Sequence, residues 1–236
     1  MLVHLSDWSG RVRGHRTDDF DDLRVTAIVS PPDWSFTSPF RVIGSDRCGY
    51  FVKTIDACVS NARASLAIEY IVAGAGRLIG APVCESSLIR IPEELDGYTM
   101  PPLTLSAGLA HASLALERAD ERGRPSLTAR GHDDNRRRHV GIYALYDWCY
   151  GSDQQWLYDL DQDLSIYSHD HGLYLPPNTG HWTQADLEQF CNDRRELPDA
   201  RDGLDPEAVE DTASALEKID GEALANLCAA CQHRGQ

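Results

Sequence analysis

Hydrophobic and polar positions follow two different periods along this chain, and the change of period marks out its elements. Residues 1 to about 38 are polar and rich in Asp, Arg and Pro. Within them "LRVTAIVS", Leu23 to Ser30, has the β-branched content of one strand, ended by Pro31 and Pro32. "FRVIG" and "GYFVKTI" are two short strand-like runs joined by "SDRC", the pattern of a hairpin. In the second run Phe51, Lys53 and Ile55 share one face by the period of two. The period then turns helical. Ser60 or Asn61 can cap a helix carried by "ARASLAIEYIVAGAGRLI", with Leu66, Tyr70 and Ala73 as its apolar stripe and Gly80 and Pro82 as its stop. Glu69 lies beside that stripe, at an edge facing the strands. "PVCESSLIRI" follows as a strand, closed by Pro92.

Residues from Glu93 to Ser106 are loop-like, with Gly97 and Pro101-Pro102. "LAHASLALERADERG" predicts a helix ending at Gly123. A polar connection, "RPSLTARGHDD", leads to a longer helix from about Asn135 through "RRRHVGIYALYDWCY", in which Val140, Tyr143, Ala144, Asp147 and Trp148 fall near one face. A loop and two short strands around "QWLYDL" and "LSIYS" come next. From Thr183 the pattern is mostly helical, in "TQADLEQF", "DPEAVEDTASALEKI" and "GEALANLCAACQ". This order predicts an α+β fold of two lobes. An N-terminal extension (1–38) with one strand precedes a small β-rich lobe (39–92) and a mostly helical lobe (93–236).

Composition narrows the partners. The 236 residues carry a formal net charge of −15, which argues against a broad nucleic-acid footprint, since phosphate binding needs surplus cations. The one basic run, Arg136-Arg137-Arg138, follows Asp133 and Asp134 and reads as a solvated helix start. There is no apolar run of about 18 residues, so no membrane-spanning helix is expected, and "MLVHLSDWSGRVRGHRTDD" lacks the apolar core of a signal peptide. Seven scattered cysteines fit reduced thiols better than a disulfide framework. A cytoplasmic location is the expectation. Cys228 and Cys231 form a C-x-x-C without a second pair nearby, and read as small helix residues rather than a metal or redox site.

Four charged side chains recur in an informative order: Lys53 on a strand, Glu69 in the next helix, Asp153 in a loop after a helix, and Asp170 before His171 and Gly172. Phosphoryl transfer uses these types. A lysine neutralises nucleotide phosphates and a helix glutamate orients it. One aspartate receives the acceptor's proton and another holds Mg²⁺ on the β- and γ-phosphates. Taken singly each residue has a plainer reading. Lys53 alone is an edge lysine that snorkels to water, and Asp170 alone is a turn aspartate before Gly172.

"GYFVKTIDACVSNARASLAIEYIVAGAGRLIGAPVCESSLIRIP" and "YDWCYGSDQQWLYDLDQDLSIYSHDHGLYL" together resemble the HipA-like kinases, in particular the small single-domain group of that branch of the protein-kinase-like superfamily. The resemblance spans roughly residues 40 to 220. It implies a two-lobe protein-kinase-like fold and an ATP- and Mg²⁺-dependent phosphotransferase acting on Ser or Thr of an unidentified protein acceptor. Asp153 would be the catalytic aspartate, Asp170 the metal ligand, and Lys53 with Glu69 the phosphate-binding pair. The hairpin from Gly44 to Gly49 would cover the nucleotide.

The chain departs from that pattern at one telling place. Tyr158 stands five residues after Asp153, where the family has a metal-binding Asn, and a tyrosine does not supply a neutral carbonyl-type oxygen to magnesium. Gln154, Gln155, Asp159 and Asp161 are the nearby oxygens. A pseudokinase that binds nucleotide or protein without transfer is therefore the second reading. A third takes His169, Asp170 and His171 as ligands of a metal-dependent hydrolase. It lacks a spaced partner motif, and consecutive residues of an extended strand point to opposite faces.

Overall fold

Alternation in the first part of the chain builds an antiparallel sheet, seen in a computed structural model that describes residues 23–32, 35, 37–58, 62–122 and 127–230. Its strands are β1 (Val25–Ile28), β2 (Phe40–Gly44), β3 (Gly49–Lys53), β4 (Ser86–Ile91) and β7 (Gly108–Leu114), in the order β1-β2-β3-β7-β4. On β3, Tyr50 and Val52 are buried on one face while Phe51 emerges on the other, as the pleat requires. Arg24 bridges to Arg90, and the Arg90 amide donates to the Leu23 carbonyl at 2.9 Å. The sheet therefore curls until its two edges meet. Phe40, Val42, Val52, Ile89 and Ala112 fill the hollow. A hairpin of β5 (Thr99–Met100) and β6 (Leu103–Thr104) adds Met100 and Leu103 to that core.

The helix expected over "LAHASLALERADERG" is not formed. Its first half is β7, which lies between β3 and β4 and pairs His111 with both Lys53 and Leu88. Its second half contains β8 (Ala119–Arg122). Leucine and alanine favour helix locally, but a strand flanked on both sides gains two ladders of hydrogen bonds and buries Ala110 and Ala112 completely or nearly so. The sheet thus draws in β1, from before residue 39, and β7, from beyond residue 92.

Helix α1 (Ser65–Leu78) packs across this sheet. The expected caps Ser60 and Asn61 lie outside the described residues. Its buried positions include Ser65, Ile68, Glu69, Val72, Ala73 and Gly76. Glu69 thus sits within the buried stripe, not beside it, and Leu66 and Tyr70 are only half-buried. The other side of α1 belongs to a second core, where Ile68, Val72 and Ile79 meet Ile142, Leu145, Trp156 and Ile166. These come from α2 (Asn135–Trp148) and from β9 (Trp156–Asp159) and β10 (Ser165–Ser168), which with β8 form a three-stranded sheet. Helices α3 (Gln184–Phe190), α4 (Pro206–Glu217) and α5 (Gly221–Ala230) follow.

The core face of α2 is rotated from the expected one. Val140 is buried as expected, and Tyr143 and Ala144 pack half-buried against the second core, but His139, Ile142, Leu145 and Tyr146 are buried as well, and Trp148 is exposed. The adjoining basic run serves the fold. Arg137 pairs with Asp134, Asp205, Glu207 and Asp211, so it ties α2 to α4, and Arg138 pairs with Asp133. Cys228 is half-buried on α5 and Cys231 lies outside the described residues. Among the described residues no helix is long and apolar enough to cross a membrane.

Helix α2 approaches the Ala81-Pro82 corner closely at Gly141, where a Cβ would lie 2.7 Å from the Ala81 Cα. A backbone atom cannot step aside as a side chain can. Gly141→Val should therefore lower stability by roughly 1–3 kcal/mol, read as a lower midpoint in urea unfolding.

Candidate functional site

Lys53 ends the middle strand of the five-stranded sheet, flanked by β2 and β7, so it is not an edge lysine. It is 8% exposed. An ammonium so placed needs carboxylates, and it has two: Glu69 Oε1 and, at 2.5 Å, Asp170 Oδ1. Burial alone pulls the Lys53 pKa down, but the charges of Glu69 and Asp170 outweigh it and the net shift is upward. Glu69, 3% exposed, uses its second oxygen to accept the His171 backbone N–H at 3.1 Å. One buried carboxylate therefore joins β3 to the turn after β10.

That turn is shaped by close contact with α1. Asp170 adopts the left-handed region, φ 54 and ψ 57, which an aspartate tolerates better than most residues. Gly172 lies against the helix, where a Cβ would come within 3.2 Å of the Ser65 Cβ and 3.5 Å of the Glu69 Cγ. His171 is buried and shares a hydrogen bond between its Nε2 and the Ser168 Oγ at 2.8 Å. His111 does the same with Ser86 at 2.9 Å. His171 is thus a packed turn residue. No group of three or more His, Cys, Asp or Glu side chains that could hold a metal ion occurs among the described residues.

Two cavities meet at Asp170. The smaller, about 240 Å³, is lined by Ser35, Thr37, Asp153, Gln155, Asp170 and Gly172. The larger, about 550 Å³, has Lys53, Asp170, His169 and Gln155 at one part of its wall, and Phe51, Leu114, Leu116 and Leu157 as apolar wall. Asp153 reaches the first from a loop in which Gly151 is obligatory, since a Cβ there would lie 2.3 Å from the Tyr146 ring. Asp153 itself has φ 49 and accepts a hydrogen bond from Gln155 Nε2 at 3.1 Å.

Of the residues singled out in the sequence, Lys53, Glu69 and Asp170 are in direct contact, and Asp153 shares a cavity with Asp170. Gly44 and Gly49 close the β2–β3 hairpin at the end of β3 opposite to Lys53. Neither lines the cavities. Gly49 adjoins the rim of the larger one, where its carbonyl accepts from the amide of the lining residue Ala115 at 2.9 Å. The segment that borders the acidic cavity is the β1–β2 connection, through Ser35 and Thr37. Tyr158 is fully buried in the second core, where its hydroxyl accepts from the Thr128 amide at 2.9 Å. It faces away from the site, because its neighbour Leu157 takes the cavity face of β9. No sequence signal marked Arg41, Ser35 or Thr37, which enter by tertiary placement alone.

Magnesium is commonly held by one or two carboxylates together with phosphate and water oxygens. Asp170 and Asp153, lining one cavity, are a donor set of that kind. Comparison with protein-family models, with curated proteins and with solved structures found no match to this chain.

The buried histidines set the pH response. Burial pushes the pKa of His111 and His171 down to about 3, with Lys53 adding to the effect, and that of His139 down to about 4. Unfolded, each titrates near 6.5. Below that pH the unfolded chain takes up protons that the folded chain refuses, so stability is lost as pH falls from about 6.5 towards 3–4. The urea midpoint should fall between pH 7 and pH 5. His111→Gln, which can keep a bond to Ser86, should flatten that fall by no more than about 2 kcal/mol.

Proposed function

We propose that this protein is a HipA-like phosphotransferase, an ATP-dependent kinase of Ser or Thr in a protein acceptor, with a two-lobe protein-kinase-like fold. The observation that carries the reading is the contact of Lys53 with both Glu69 and Asp170, beside a cavity that Asp153 also lines. A strand lysine, a helix glutamate and two separate aspartates are the parts that phosphoryl transfer by such kinases employs. The sequence order of the four residues and their spatial convergence are independent of one another.

Each residue has a task in this scheme. The larger cavity has a volume usual for small-molecule sites. Its walls of Phe51, Leu114 and Leu157 accept a flat base, with the phosphates directed towards Lys53. Lys53, kept charged by Glu69, balances phosphate charge. Asp170 holds Mg²⁺, which when bound neutralises phosphate oxygens. Asp153 accepts the proton of the acceptor hydroxyl as its oxygen bonds to the γ-phosphorus. The bond from that phosphorus to the β–γ bridging oxygen then breaks, and ADP leaves. With a net charge of −15, a neutral or basic acceptor surface is favoured.

A nucleotide-binding pseudokinase is the second reading. It draws on the burial of Tyr158, which keeps that residue from serving as a metal ligand.

Thermal shift with ATP, with and without Mg²⁺, tests binding, and mass spectrometry after incubation tests transfer to the chain itself or an added protein. Asp153→Ala should abolish transfer, by 10²-fold or more by analogy with loss of a catalytic proton acceptor, while nucleotide binding persists. Asp170→Ala should remove the metal-dependent part of the shift. Binding without transfer in the unaltered protein favours the pseudokinase. Absence of any nucleotide shift, at every magnesium concentration, defeats both.

A further inference from the structure

We infer that Gln155 supplies the neutral oxygen that completes the metal site, three positions nearer to Asp153 than Tyr158. The inference rests on the phosphotransferase reading. Two consecutive features of the chain lead to it. Strand β9 begins at Trp156, and from there side chains alternate, so Tyr158 and Trp156 are both fully buried in the second core while Leu157 takes the cavity side. The register that would place residue 158 beside Asp170 is therefore closed by packing. Gln155 stands just before the strand and lines both cavities, each time together with Asp170.

The chemistry of its contact orients the amide. An ionised carboxylate only accepts hydrogen bonds, so the group that meets Asp153 Oδ2 at 3.1 Å must be the Gln155 NH₂. Its carbonyl oxygen, on the other side of the planar amide, is the atom this assignment gives to the cation. A hard divalent cation prefers carboxylate and carbonyl oxygens. Asp170 offers the first and Gln155 the second. The same side chain also holds Asp153 in place, so one glutamine serves the cation and the proton acceptor together. Gln154, by contrast, donates to the Tyr146 hydroxyl at 3.4 Å, and Asp159 is buried and accepts from the Asp161 amide at 2.9 Å. Neither lines the cavities.

The test titrates Mg²⁺, and Mn²⁺ in parallel, against the full chain saturated with a non-hydrolysable ATP analogue, reading thermal shift and, for Mn²⁺, its electron paramagnetic resonance signal. Gln155→Ala should raise the half-saturating metal concentration roughly 10-fold or more, in the range seen when supporting groups of metal sites are removed. Gln155→Asn, which keeps a shorter amide, should fall between Gln155→Ala and the unaltered protein, and Tyr158→Phe should titrate like the unaltered protein. Equal metal titration of Gln155→Ala and the unaltered protein overturns this assignment and leaves the phosphotransferase reading standing. A metal response lost in Tyr158→Phe but kept in Gln155→Ala also overturns it. If the unaltered protein binds no analogue at any metal concentration, the reading of the site fails, and this assignment fails with it.

Discussion

The arrangement depends on one buried ion pair. Lys53 carries a full charge into the middle of a sheet, where desolvation opposes it, and Glu69 is buried opposite. Such pairs add little net stability against apolar replacements, yet breaking one leaves an uncompensated charge at a cost of several kcal/mol. Their value lies in position. With one oxygen on Lys53 and the other on the His171 amide, Glu69 leaves strand β3, helix α1 and the turn after β10 little freedom to shift against one another. Asp170, next in the chain to that amide, is thereby brought to Lys53.

Helix α1 makes this economical. It lies between the curled sheet and the second core, and its glycines let the second core and α5 come close, Gly76 at Val83 and Leu145 and Gly74 at Leu227. A Cβ on Gly76 would lie 2.6 Å from Val83 Cγ1. The Gly172 turn rests on its first turn at Ser65 and Glu69. The cavities therefore open where two separately packed bodies of side chains meet, a common place for ligand sites. Apolar walls come from the strands and the 114–116 connection, and charged groups come from the turns.

Much of this was legible in one dimension. The pleat period placed Lys53 across the face from Val52, and the short apolar runs around Leu157 and Ile166 marked a hairpin between the two aspartates. The types and order of Lys53, Glu69, Asp153 and Asp170 by themselves suggest a chemistry. The failures have equally definite causes. "LAHASLAL" has helix-forming residues, and only the two strands beside it make a strand the better state. Counting five residues on from Asp153 points to Tyr158 only if the loop and strand keep one register. The packing of Trp156 and Tyr158 sets that register instead, and puts Gln155 at the cavity.

What the sequence by itself determined is local: which segments alternate, where Pro and Gly interrupt them, and which charged side chains had no obvious place in an apolar face. Those follow from backbone sterics and solvation, which act over a few residues. Only the tertiary structure decided which of these charges meet. Contacts such as Lys53 with Asp170 and His171 with Glu69 join residues more than a hundred positions apart. They arise from the burial of two cores against a shared helix, and that balance of packing and desolvation is a property of the whole chain.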